Sequence, residues 1–353
     1  MKLQASLQAT AKQFGLLLIS SMVSFGNCQV NFSPSSLLGY IGRGAIDDYV
    51  LSPYDMVYDS DRPAGMPKNF RSPVFYKPAQ PQDLNNTGFN QLTISGSAQY
   101  SWPELQEMVK HVHNRHKVPY DHIYVLDLRE EPHGFFNDAA VSWYYGPLSY
   151  QQNKETDAVI ASELRRIEQV RSFPNTFVYK AKKTERGVAG GKSVSIEPVR
   201  ILMREREAVL SLGAQYKRLP VTDHFRPQAT DIDDFVDWVK TLPQNAWIHM
   251  KCRGGKGRTT TFMALFDIIQ NPKVPVDSIL ERHKLLGGVD LSRKKIKKGQ
   301  EWKLRLNNDR VNIIKHFYAY RNAPESWGKI PFSTWIIKQG IYLGYLGEKT
   351  GAD

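Results

Sequence analysis

Apolar positions change their period several times along the chain, and each change marks an expected element. In WPELQEMVKHVHNRH (102–116), Leu105, Met108, Val109 and Val112 recur at helical spacing, and Pro103 suits a first turn. HIYVLDLR (122–129) is a short apolar run bounded by a turn, the pattern of a buried strand. Helices are expected over 158–171 and 198–212, and QYKRLPV (215–221) reads as a strand. In DIDDFVDWVKTL (231–242), Ile232, Phe235, Val236 and Val239 share one helix face. AWIHM (246–250) reads as a strand, and TTTFMALFDIIQ (259–270) is apolar nearly all round, so its helix should be buried.

Before this stretch, 31–92 is rich in Pro, Asn, Ser and Gly and reads as irregular or β-rich cover. Strand, glycine loop and buried helix in succession predict an α/β fold. Its central sheet should be mostly parallel and flanked by helices, with the loop at a carboxyl edge where ligands bind. The expected organisation is a leader over 1–26, an N-terminal region over 27–95 covering the site and a catalytic domain over 96–330. A small β-rich accessory insertion is placed around 130–200 and a C-terminal segment over 331–353. No internal repeat is visible.

Composition narrows the partners. The 353 residues carry a formal net charge of +12, which favours anionic ligands such as nucleic acid, anionic membranes or highly phosphorylated small molecules. No aromatic–basic stacking motif supports nucleic acid, so none is expected as a partner. Two cysteines, Cys28 and Cys252, argue against a disulfide framework. Lys2 and Lys12 precede the apolar run FGLLLISSMVSFG (14–26), with Ser24 and Gly26 spaced for signal-peptidase cleavage. Export is therefore expected, to a bacterial periplasm or beyond it, with delivery into a host cell left open. No second stretch is long and apolar enough to span a bilayer.

The chemistry concentrates in CRGGKGRT (252–259). Gly254, Gly255 and Gly257 let backbone N–H groups turn inward, the following helix adds its positive N-terminus, and Arg258 can fork two donors onto one anion. The cradle fits a tetrahedral dianion and favours a Cys252 thiolate, with the Thr259 hydroxyl able to donate to the sulfur. A thiolate facing a bound phosphoryl group is an in-line nucleophile. Such a reaction needs an acid on a separate loop, and Asp223 in VTDHFRP (221–227) lies one strand and one helix upstream. RGVAGGKS (186–193) superficially suggests a nucleotide loop, but Arg186 stands where its first glycine belongs, and it reads as a flexible polar loop. In HVHNRH (111–116), His111 is expected to face away from His113 and His116, so these read as solvated helix residues rather than a metal site.

CRGGKGRT with TDH upstream resembles the cysteine-dependent phosphatases, and more closely the protein-tyrosine-phosphatase-like inositol phosphatases, the cysteine phytases. NFR (69–71), DLREEPHGFFND (127–138), VSWYY (141–145), TLPQNAWIHMKC (241–252) and FYAYRN (317–322) are similar to that family too. The resemblance implies a cysteine-phosphatase fold with a phosphocysteine intermediate on Cys252. Arg258 and the loop N–H groups of Arg253, Gly254, Gly255, Lys256 and Gly257 would bind the phosphoryl group. Asp223 would serve as acid and then base, His224 as a substrate-phosphate contact, and Thr259 as support for the leaving thiolate. Lys251 departs from the family, which usually has histidine there, whereas His249 keeps the other histidine.

Arg253 and Lys256 resemble the extra loop cations of phosphoinositide 3-phosphatases and suit a substrate with several phosphates. Lys303 and Arg305, in the basic run 292–310, are candidate substrate contacts, as are Arg71, Arg129 and His133. The expected reaction is hydrolysis of myo-inositol polyphosphates, chiefly inositol hexakisphosphate, without metal or cofactor and with an optimum on the acid side of neutral. The rival readings are a phosphoinositide or phosphotyrosine phosphatase and a module that only binds polyphosphates. Weak contact with an anionic membrane is left open, and the sequence does not set an oligomeric state.

Overall fold

The computed structural model describes residues 56–76, 85–143, 156–172, 176–184, 187–196, 198–293 and 302–343. The expected leader, Cys28, Arg186, the central part of the basic run (294–301) and the end of the C-terminal segment lie outside them. All described residues fall in one compact unit, Ser52–Asp353.

Ten strands and eight helices follow one another among these residues. They are β1 (Met56–Ser60), β2 (Ile94–Ser97), α1 (Trp102–His116), β3 (Ile123–Arg129), β4 (His133–Phe136), β5 (Ala139–Trp143) and α2 (Thr156–Ser172). Next come β6 (Thr176–Thr184), β7 (Gly187–Ile196), β8 (Leu202–Arg204), α3 (Glu205–Ser211), β9 (Gln215–Val221) and α4 (Ala229–Thr241). The chain continues through β10 (Trp247–Lys251), α5 (Gly257–Gln270), α6 (Val276–Leu285), α7 (Trp302–Asn322) and α8 (Phe332–Lys338).

The central sheet has order β2-β10-β3-β9 and is wholly parallel. Alternation along its strands feeds two cores. Ile123, Val125 and Trp247 pack against Leu105, Met108, Val109 and Val112 of α1 and against Ala208 and Val209 of α3. Leu126, Leu128, Ile248 and Met250 face the opposite way, against α4 and α5, and Cys252 joins this second core. Each such Leu, Ile or Val contributes about 1.5–3 kcal/mol by leaving water. Helix α1 starts at Ser101, whose hydroxyl accepts from Glu104 N while the Glu104 carboxylate accepts from Ser101 N, a reciprocal cap.

A second sheet, of order β7-β6-β1-β5-β4-β8, forms the accessory part. It has six strands against the central four, so it is larger than expected. The N-terminal region, read as irregular or β-rich cover, supplies β1 to this sheet and the start of β2 to the central one. The helix expected over 198–212 is instead a short strand, β8, then the two-turn α3. Leu202, Met203 and Arg204 pair with β4, and that ladder competes successfully with helix propensity. The glycine-rich 187–193 is not a loop but part of β7, paired antiparallel with β6 along its length.

Candidate active site

Strand β10 ends at Lys251 and delivers Cys252 to the base of a cleft of about 900 Å³. The loop that follows turns its carbonyls outward, where three neighbours hold them. Gln99 N donates to Arg253 O at 3.1 Å, Asn69 Nδ2 to Gly254 O at 2.9 Å and Arg71 Nη1 to Gly255 O at 2.7 Å. With the carbonyls engaged on that side, the N–H groups face the anion position. Gly255 has φ +62°, and a Cβ there would lie 2.3 Å from the backbone of Ser97 and Ala98. Only glycine fits that point of the turn.

Thr259 Oγ1 donates to Cys252 Sγ at 3.2 Å. Burial pushes the thiol pKa up, but the Arg258 charge and the side-chain and backbone bonds from Thr259 outweigh it, so the group ionises below its ordinary value. Nearby Asp223 opposes this shift. Arg258 is 2% exposed and is gripped by Glu131, Nη1 to Oε2 at 2.8 Å and Nη2 to Oε1 at 3.0 Å. Its Nη2 also lies 3.0 Å from Asp223 Oδ1. Among the described residues Arg258 Nε has no hydrogen-bond partner, a buried donor that can meet an incoming acceptor.

Asp223 sits on the loop after β9, beside the cleft, and its Oδ1 accepts from His224 N at 2.9 Å. His224 adopts φ +68°, a sparsely populated backbone region for a residue with a Cβ, and its ring packs edge-on against Trp302 at 5.1 Å. Burial, together with Arg310, Lys303 and Arg258, moves its pKa down despite Asp223.

Beneath the loop lies a fully buried charged layer. Lys251 Nζ sits 2.8 Å from Asp127 Oδ1, 2.6 Å from Glu205 Oε2, 2.9 Å from Gln99 Oε1 and 3.0 Å from His133 Nε2. Asp127, His133 and Glu205 have the spacing of a metal-ligand trio, and the lysine ammonium occupies their midst. This is how the chain uses the lysine that stands directly before Cys252. His249 keeps a separate place: Ser95 and Ser97 hydroxyls bond its two ring nitrogens, and burial lowers its pKa to about 3, so it is neutral.

The structure divides the remaining sequence candidates. Arg253, Gly254, Lys256, Gly257, His224 and Lys303 line the cleft with Cys252, Asp223 and Arg258. Arg71 does not: it is 6% exposed and braces the loop from behind, bonding Thr260 as well as Gly255. Arg129 and His133 do not line the cleft either. Arg129 is buried between Asp59, Glu131 and Gln99, and His133 lies within the charged layer. Arg305 is exposed on α7 away from the cleft lining.

Contacts absent from the sequence reading are Asp59 and Lys68 of the N-terminal region, Arg310 of α7, and Glu131. A signal existed for Glu131, which stands two residues from both Arg129 and His133 in the quoted 127–138 stretch. The histidines of α1 also differ from expectation. His111 and His116 approach each other at 6.3 Å beside Phe75, His116 stacks on Trp247, and His113 stacks on Tyr120.

A parallel sheet that presents a cysteine to a glycine loop at the N-terminus of a buried helix defines this as the cysteine-phosphatase fold. A family model for PTP-like phytases, described as "Inositol hexakisphosphate", matches residues 126–270. The PTP-like phytase from Bdellovibrio bacteriovorus is 30% identical with a TM-score of 0.62, the match covering 81% of this chain and 95% of that one. The PTP-like myo-inositol phosphatase from Mitsuokella multacida, solved in complex with myo-inositol-(1,3,4,5)-tetrakisphosphate, is 30% identical with a TM-score of 0.72. That match covers 82% of this chain and 48% of the other. Effector protein hopD2 of Pseudomonas syringae pv. tomato is 26% identical over 266 residues, 73% of this chain and 54% of its own. The chain thus spans about half the length of the Mitsuokella and Pseudomonas relatives. It belongs to the PTP-like phytase family.

Proposed function

We propose that this protein hydrolyses phosphate monoesters of myo-inositol polyphosphates, chiefly inositol hexakisphosphate, through a phosphocysteine. One observation carries the reading: the Cys252 sulfur, bonded by Thr259, stands with Arg258 and Asp223 in a cleft that Lys68, Arg253, Lys256, Arg293, Lys303 and Arg310 make strongly basic. The family membership and the inositol tetrakisphosphate complex of the Mitsuokella relative support the substrate class.

The Cys252 thiolate attacks phosphorus, the ester P–O bond breaks, and the Asp223 carboxylic acid gives its proton to the leaving inositol oxygen. Arg258 and the loop N–H groups stabilise the charge on the transferring phosphoryl group. Asp223, now ionised, takes a proton from water, whose oxygen attacks phosphorus. The S–P bond breaks, the thiolate returns and phosphate leaves. Asp223 pairs with Arg258 at 3.0 Å, and a dianionic phosphoryl group would compete for that guanidinium and release the carboxyl.

The test is phosphate release from inositol hexakisphosphate with a chelator present. Cys252→Ser should lose all turnover, and wild-type turnover by that variant would defeat the assignment. Asp223→Asn should slow an alkyl ester by about 10²–10⁴-fold, and an aryl ester with a good leaving group far less. Export to a periplasm or beyond, proposed from the leader-like N-terminus, is checked by fractionation.

A further inference from the structure

Arg253 and Lys256 are the two cations of the catalytic loop besides Arg258, and the structure treats them differently. Among the described residues Lys256 ends in one exposed hydrogen bond, Nζ to Gly287 O at 2.6 Å. The Arg253 side chain is 12% exposed, and its Nε donates at 2.7 Å to Oδ1 of Asp59, itself 1% exposed. Asp59 comes from β1, in the other sheet, so the loop's first side chain is fixed from outside the loop.

The other Asp59 oxygen accepts from Arg129 Nη1 at 2.8 Å. Arg129 Nε donates to Glu131 at 2.9 Å, and Glu131 grips Arg258. Charges therefore alternate along an unbroken line, Arg253, Asp59, Arg129, Glu131, Arg258, from the loop's first side chain to its phosphate-binding arginine. Each end is a guanidinium lining the cleft. A planar guanidinium held through Nε has its fork fixed in direction, whereas an ammonium on a flexible stem is a swivelling point charge.

We infer that Asp59 is a positioning residue that aims Arg253 at a second phosphate of the substrate, beside the one held by the Cys252 loop, and thereby sets a preference for polyphosphate over single-phosphate esters. The role rests on the polyphosphate reading above, so its test is a binding measurement that needs no turnover. Removing the Asp59 charge has two opposite effects. The cleft becomes more positive, which tightens every anion alike, and Arg253 loses its aim, which weakens only ligands that reach it. The ratio of two affinities separates them.

Calorimetry on Cys252→Ser protein gives dissociation constants for inorganic phosphate and for inositol hexakisphosphate. Adding Asp59→Asn should reduce the preference for the hexakisphosphate about five- to tenfold. Arg253→Gln should reduce it at least as much, and the two together no further than Arg253→Gln alone. An unchanged preference in Asp59→Asn, or losses that multiply, would overturn the role. Arg253→Lys decides independently if Asp59→Asn fails to fold by circular dichroism. It keeps the charge and loses the fork, so it should lose the preference as Arg253→Gln does, and a wild-type ratio overturns the proposal. Failure of the wider reading looks different: the wild-type protein would release no phosphate from inositol hexakisphosphate while still binding it with the Arg253-dependent preference.

Discussion

Glu131 holds both terminal nitrogens of Arg258 in a two-point grip, at 2.8 and 3.0 Å. Both side chains are buried, and burial alone would raise the carboxyl pKa, yet Arg258 and Arg129 bring it to about 2. The acid is thus a permanent anion whose work is orientation. In Glu131→Gln one oxygen becomes an NH₂ that cannot accept, so Arg258 loses one contact and is drawn toward Asp223. kcat/KM on an inositol phosphate should fall about 10²–10³-fold, the cost of misplacing one transition-state donor. Initial rates check this, with circular dichroism confirming a folded variant. A rate near wild type would remove Glu131 from the positioning of Arg258.

Thr259→Val keeps the side-chain shape and deletes the hydroxyl that lowers the Cys252 pKa. The thiolate then forms at higher pH, so the acid limb of the kcat/KM profile should move to higher pH. Activity on that limb should drop roughly ten- to a hundredfold, the range for a hydrogen bond to a charged group. An unmoved limb would mean that another group limits the rate there.

Much of the central fold was legible because its elements carry long-lived periods. β3, β9, β10, α1, α4 and α5 match the expected segments within a few residues. The accessory sheet was legible only as a small β-rich insertion around 130–200; its six-strand order was not, since β1 joins β5 and β6 from far away along the chain and a three-residue strand such as β8 shows no period. The loop residues Cys252, Arg258 and Thr259 were visible because spacing within one loop fixes their encounter. Asp59 was invisible, since its partners Arg253 and Arg129 lie 194 and 70 residues away. Arg129 and His133 illustrate the converse: a cation in a recognisable motif reads as a ligand contact until the carboxylates that bury it are seen.

The three loop glycines read alike in sequence, and the structure makes them unequal. A Cβ on Gly254 meets nothing within 4 Å, one on Gly257 meets the Arg310 guanidinium at 2.9 Å, and one on Gly255 meets backbone at 2.3 Å. Gly254→Ala should therefore change stability by less than about 1 kcal/mol. Gly257→Ala should displace the flexible tip of Arg310 and reduce activity more than stability. Gly255→Ala combines backbone overlap with positive φ and should cost more than about 3 kcal/mol. Thermal midpoints and rates of the three variants give the order, and equal midpoints would contradict the loop geometry.

The ion chain makes stability depend on acid in a definite direction. Folded, Glu131 and Glu205 ionise at about 2 against an ordinary 4.5, and Asp59 at about 2 against 3.8. Burial pushes each up, and the opposing charges of Arg258 and Arg129 on Glu131, Lys251 on Glu205, and Arg129 and Arg253 on Asp59 more than reverse it. On acidification the unfolded chain takes up protons first, near pH 4 to 4.5. The stabilisation, on the order of 2 kcal/mol per group and less than additive, is therefore complete above that range and lost as pH falls toward 2. The thermal midpoint should decline gently from pH 7 to 5, as the unfolded chain protonates His249 while the folded protein keeps it neutral, and then fall steeply as the carboxylates titrate. Glu205→Gln, which leaves Lys251 one anion short, should lower the midpoint at pH 6 and make the acid slope shallower, because one depressed carboxyl no longer titrates. A variant slope as steep as wild type would place the acid-sensitive protons elsewhere than in the charged layer under Cys252.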